Sequence, residues 1–156
     1  MDRVELLLAL QKRAFEKSHW HSLIGALKDL NERLFCWKPE THAGFEWMEG
    51  SIRDIVFHVT GDKLVQASQA FGDGSVTWES MTDLIRKTGV ESMVEDLRAA
   101  HDRLIEALER QTEESLDQKV RTWGGKRMTA QEFFLMLIEH DLYHAGQIRY
   151  IRNIAG

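Results

Sequence analysis

Proline is almost missing from this chain: one residue in 156, Pro39. A sequence so poor in the residue that breaks helices can run long ones, and its single proline marks a stop. Cysteine is equally scarce. Cys36 alone excludes an intrachain disulfide framework and fits a reducing compartment. Its neighbours Leu34, Phe35 and Trp37 point to a buried thiol and not to a nucleophile. No apolar run approaches the roughly 20 residues that a membrane span requires. The charged start, Asp2, Arg3 and Glu5, does not read as a signal peptide, so the expected location is cytoplasmic, with no membrane partner. Basic charge is not in excess either. A net charge of −5 disfavours a nucleic-acid surface, and Arg149 and Arg152 read as complements to the dipole of a helix end. A phosphate-binding glycine loop, a Gly-x-Ser-x-Gly elbow and a Cys-x-x-Cys pair are all missing.

What remains is an ordinary soluble composition, 43% hydrophobic and 29% charged. That is enough apolar material for one core, and residues 1–156 are expected to form a single domain. Asp2 with Glu5 forms a capping-box pattern ahead of Val4, Leu7, Leu8, Ala14 and Phe15. After a break near Ser18, the stripe Trp20, Leu23, Ile24, Leu27, Leu30 and Leu34 predicts a second helix that Pro39 ends. Residues Pro39 to Gly50 read as a loop. Ser51 caps a helix carrying Ile52, Ile55, Val56 and Val59, with Asp54 serving its N-terminus and an end near Gly72. Residues 77–88, with Trp78, Met81, Leu84 and Ile85, predict a short amphipathic helix. Val90, Met93, Val94, Leu97, His101, Leu104, Ile105 and Leu108 give the clearest stripe. Residues 112–127 read as irregular, with a tight turn at Gly124-Gly125 and no alternating strand pattern. Thr129 with Glu132 caps a last helix from about Ala130 toward Asn153. Four long amphipathic helices in one small domain predict an all-α four-helix bundle.

Two positions on the last helix break its apolar stripe. Phe133, Leu137, His140, His144, Ile148 and Ile151 share one face, and an imidazole there brings polar atoms that need partners. Histidines four apart can turn both rings toward one point. A lone pair of this kind is a weak signal, since two ligands hold a metal poorly. His58, near the apolar face of the Ser51 helix, is the candidate third ligand. Three neutral imidazoles leave a position open, as catalytic zinc sites do, although ligand type does not name the metal. Asp62, one turn after His58, is a candidate ligand, orienting partner or base. Gln147, three residues after His144, is placed to hydrogen-bond a group at such a site, and Tyr143 carries a hydroxyl. His101 reads as a hydrogen-bonded core histidine. His21, beside Trp20, is expected at the surface or a pocket mouth, and His42 in a loop.

Two neighbouring patterns are excluded. A His-Glu-x-x-His zincin carries glutamate where this chain has Asp141, and di-iron bundles need two Glu-x-x-His motifs, of which only Glu16 to His19 has the spacing.

The run from Ile52 to His58, followed by His140-Asp141-Leu142-Tyr143-His144-Ala145-Gly146-Gln147-Ile148, resembles the DinB/YfiT-like superfamily. Trp20-His21 and Trp37-Lys38-Pro39 resemble it too, so the likeness spans nearly the whole chain, with the last motif the most specific. The resemblance implies a four-helix bundle with a long crossover connection and short extra helices, often homodimeric. It implies a divalent metal, commonly zinc or nickel, on His58, His140 and His144. It also implies, for the characterised relatives, transfer or isomerisation with a low-molecular-weight thiol of the bacillithiol, mycothiol or glutathione class. The expected function is therefore a metal-dependent thiol transferase on a small-molecule substrate, with Asp62, His21 or Gln147 orienting substrate or moving a proton. A metal-dependent hydrolase and a non-catalytic metal-binding or helical interaction protein are the alternatives.

Overall fold

The computed structural model describes residues 1–43, 49–84 and 89–156, with the side chains of 82–84 outside that description. Helix α1 (Arg3–Lys12) starts on the expected capping box, in which Asp2 accepts from Glu5 N and Glu5 returns the bond. It continues as one turn of π-helix, Arg13–Lys17, which ends at Ser18. The predicted helix over 20–34 is two short ones, α2 (Leu23–Leu27) and α3 (Glu32–Phe35). Lys28 leaves the helix in an extended conformation, Asp29 sits in the left-handed region at φ 57°, and Asn31 caps a fresh start. The apolar spacing survives across this break, which is why periodicity alone reads as one helix.

Ser51 opens α4 (Ile52–Phe71) as expected, and with Asp54 it forms a capping box. Helix α5 (Trp78–Leu84) begins where expected, and the predicted continuation over 85–88 lies outside the described residues, as does the 44–48 part of the predicted loop. Helix α6 spans Val90–Glu109 and α7 spans Ala130–Ala155, the latter on the Thr129–Glu132 box. The stretch before α7 is more ordered than its sequence suggests. Strands β1 (Lys119–Arg121) and β2 (Arg127–Thr129) pair antiparallel, with Val120 opposite Met128. Gly124 and Gly125, at φ 78° and 77°, make the reversal between them, a backbone that favours residues without a Cβ. Three-residue strands are too short to show an alternation.

Helix α4 packs between α6 and α7, while α1 packs against both α6 and α7 from the opposite side. The chain thus passes from α1 to α4 across the bundle through α2 and α3, the long crossover that the resemblance implies. Phe133, Phe134 and Leu137 of α7 fill one end of the core with Leu104 and Leu108 of α6. Val59, Leu97, Ala145 and Ile148 belong to the other end. No described helix is long and apolar enough to cross a membrane.

Two single-residue expectations are corrected. Cys36 is exposed, because it follows the short α3 at its C-cap and not on the buried face that holds Phe35. His101 is buried as expected and stacks flat on Phe15 at 3.6 Å, but its Nδ1 has no hydrogen-bond partner.

Candidate metal centre

Helices α4 and α7 run side by side, and each presents imidazoles to the other. His58 Nε2 lies 3.0 Å from His140 Nε2, which lies 3.1 Å from His144 Nε2. The three rings are the described group of metal-ligating side chains close enough to share one ion. Burial pushes all three below the usual imidazole range, His140 to about 2 and His144 to about 4, with neighbouring histidines adding to it at His140 and His144. They are therefore neutral at pH 7, the protonation state that a metal ligand needs.

The surrounding side chains fix which nitrogen faces inward. Gln147 Oε1 sits 2.7 Å from His144 Nδ1, while Gln147 Nε2 donates to the Tyr143 hydroxyl at 3.0 Å. An amide oxygen only accepts, so His144 carries its proton on Nδ1 and turns the Nε2 lone pair toward the cluster. Asp62 faces the other side: its Oδ2 is 3.8 Å from His140 Nδ1, and its Oδ1 accepts from Gln66 Nε2 at 3.3 Å. Gln66 Oε1 in turn accepts from the backbone N–H of Trp123, which ties this network to the β1–β2 connection. Burial raises the Asp62 carboxyl to about 6.

His140 Nδ1 is buried without a hydrogen-bond partner, the Asp62 oxygen at 3.8 Å being out of reach. A proton on His140 Nε2 can be donated to His144, whereas one on Nδ1 leaves the two Nε2 lone pairs opposed. A cation among the Nε2 atoms removes the conflict by accepting every lone pair. The spacing fits: metal–nitrogen bonds of about 2.0–2.1 Å at a tetrahedral angle separate nitrogens by roughly 3.3–3.4 Å. The residues present therefore fit a divalent metal.

A family described as the DinB superfamily matches residues 17–148. The chain belongs to that superfamily. Neither the curated proteins nor the solved structures compared with it give a match.

The geometry brings His58, His140 and His144 together, with Gln147 bonded to His144 Nδ1 and Asp62 near His140 Nδ1 but beyond hydrogen-bond distance. Gln147 binds a histidine and not a third body, a role that i,i+3 spacing on one helix permits. His21 stands apart. It is exposed in the turn before α2, where its backbone N–H donates to Ser18 Oγ at 3.3 Å, and no described hydrogen bond joins it to the triad.

Three neighbours escape a reading by motif. Trp78 of α5 lies parallel to the His58 ring at 5.8 Å, and it fits because α4 carries Gly61 beneath it: a Cβ there would come within 2.4 Å of the Trp78 ring. Lys63 and Asp141, each next in sequence to a site residue, turn the other way and meet in the core. Lys63 Nζ lies 2.7 Å and 2.8 Å from the two Asp141 oxygens, with both side chains fully buried. The signal was present, since Lys63 falls four residues after Val59 on the apolar stripe of α4.

Proposed function

We propose that this DinB-superfamily protein binds a divalent metal, zinc or nickel, through His58, His140 and His144, and serves as a transferase using a low-molecular-weight thiol. The observation that carries the metal part is the convergence of three Nε2 atoms at 3.0 and 3.1 Å. When bound, such an ion supplies a Lewis acid with an open position, which lowers the pKa of a thiol there. The chain's own residues do the rest. Gln147 holds the His144 ring, Asp62 stands beside His140, and Trp78 covers the outer face of His58. A cavity of about 280 Å³, lined by Trp37, Pro39, Ile55, Tyr150 and Ile151, also borders Gln147 and is suited to an apolar electrophile. In the transfer the thiol proton leaves to solvent, sulfur bonds to the electrophilic carbon, and the leaving group departs with its electron pair. Homodimerisation, carried over from the superfamily, belongs to the same proposal and is checked by sedimentation.

The first test is metal analysis of untagged protein and of His144→Ala after reloading. About one ion per wild-type chain, and a large loss of affinity in the variant, is expected. A wild type that holds no stoichiometric metal overturns the reading. The second incubates loaded protein with monochlorobimane and a panel of cellular thiols. Conjugation that stops on chelation is expected; none with any thiol leaves a metal-binding protein without this activity. His21→Ala, remote from the triad, should leave metal affinity unchanged.

A further inference from the structure

One cleft of the molecule does not touch the triad. It holds about 850 Å³ and lies where the end of the π-helical turn, α2, α6 and the last turns of α7 meet. Its wall carries Lys28, Arg98, Arg149 and Arg152 against only Glu16 and Asp29. Arg98 is paired with Glu16 at 3.1 Å, so the remaining charge is positive, on a chain whose net charge is −5.

Arg149 and Arg152 are held without being neutralised. Arg152 Nη1 donates to the backbone carbonyls of Ala26 and Lys28, each at 2.7 Å, and Arg149 Nη2 donates to that of His19 at 3.3 Å. No described carboxylate lies within ion-pair distance of either. Carbonyls fix one edge of each guanidinium but leave its charge intact, and a guanidinium has five N–H donors in a rigid fork. Arg149 Nε is, besides, buried without a hydrogen-bond partner. At i and i+3 on α7 the two side chains are neighbours. Trp20, 68% exposed, stands at the same cleft and offers an aromatic face. Helix-dipole compensation accounts for one of these cations, not for two unpaired arginines and a lysine around one concavity.

We infer that this cleft is a binding site for a small anionic molecule, one that presents a phosphate or carboxylate to Arg149, Arg152 and Lys28 and an aromatic or apolar body to Trp20. It is separate from the histidine centre and independent of what that centre does. Pre-anchored guanidinium groups lose little freedom when an anion arrives, which is what makes a shallow site effective.

Calorimetric titration at low salt tests it, using phenyl phosphate, phenylacetate and uncharged benzyl alcohol on wild type, His144→Ala, Arg149→Gln and Lys28→Glu. Saturable one-to-one binding of at least one anion, undetectable binding of the alcohol, and weakening as salt is raised are expected. The stronger of the two anions identifies the head group. His144→Ala should bind as wild type does, which separates this cleft from the metal centre even if that centre proves empty of function. Arg149→Gln should weaken binding about tenfold. Lys28→Glu, which leaves every carbonyl bond in place, should weaken it several-fold at unchanged thermal stability. No saturable binding, unchanged affinity in Lys28→Glu, or loss of binding in His144→Ala would each overturn the assignment.

Discussion

Replacing Lys63 by methionine leaves Asp141 as a lone carboxylate in a fully buried position, and the cost can be bounded from the protonation it forces. In water a carboxyl titrates near 3.9, so an isolated Asp141 can escape its charge by taking a proton, at about 1.36 kcal/mol for each pH unit above that value. The ceiling is therefore about 4 kcal/mol at pH 7 and about 1.5 kcal/mol at pH 5, in line with the roughly 3–5 kcal/mol typical of breaking a buried pair. The reciprocal change, Asp141→Leu, strands an ammonium whose free value is about 10.4. Its penalty runs the opposite way, about 4.6 kcal/mol at pH 7 and about 2 at pH 9. The sign follows from which state binds protons. A stranded carboxyl has a raised folded value, so its destabilisation grows with pH; a stranded lysine has a lowered one, so its destabilisation grows as pH falls. Replacing both by Met and Leu removes both charges and should return stability to within about 2 kcal/mol of wild type. Urea unfolding of metal-free proteins at pH 5, 7 and 9, each variant compared with wild type at the same pH, reads all of this. Single variants that cost less than about 1 kcal/mol at pH 7, or that share one pH trend, would show that Lys63 and Asp141 are not a buried ion pair.

Three further outcomes follow from named contacts. Gln147→Leu, which removes the acceptor at His144 Nδ1, should lower metal affinity about 10- to 100-fold with little loss of helicity, measured by competition with a chromophoric chelator. Gly61→Ala should drive Trp78 off its seat over His58, costing about 1–3 kcal/mol and shifting tryptophan emission; unchanged emission and stability would refute the packing. His101, pushed by burial and by the Lys63, Arg98 and Lys12 cations down to about 2, stays neutral when folded but charges near 6.5 when unfolded. Its contribution is therefore complete above pH 6.5 and declines as pH falls, by at most about 1.36 kcal/mol per unit, and His101→Phe should flatten that slope in acid titrations.

Much of the molecule was legible in its residues because the signals were local. Three capping boxes, at Asp2, Ser51 and Thr129, set the starts of α1, α4 and α7, since a cap is a bond between residues three apart. His140 and His144 announced themselves as polar atoms on an apolar stripe, and His58 could be matched to them as a third helix-borne histidine near an apolar face. What the sequence could not reveal depends on neighbours distant in the chain. The apolar spacing of residues 20–34 is the same whether one helix or two present it, and the turn at Asp29 is settled by how α2 and α3 seat against α7 and α4. Strands of three residues acquire their identity only by pairing. Lys63 and Asp141 are 78 positions apart, and only the packing of α4 against α7 turns two charges that would be costly alone into a bonded pair. The same packing puts a carboxylate beside His140 and a tryptophan over His58. Local chemistry thus determined which residues could bind a metal, while tertiary packing decided their proton positions and the company they keep, because hydrogen-bond partners and dielectric surroundings exist only once the helices meet.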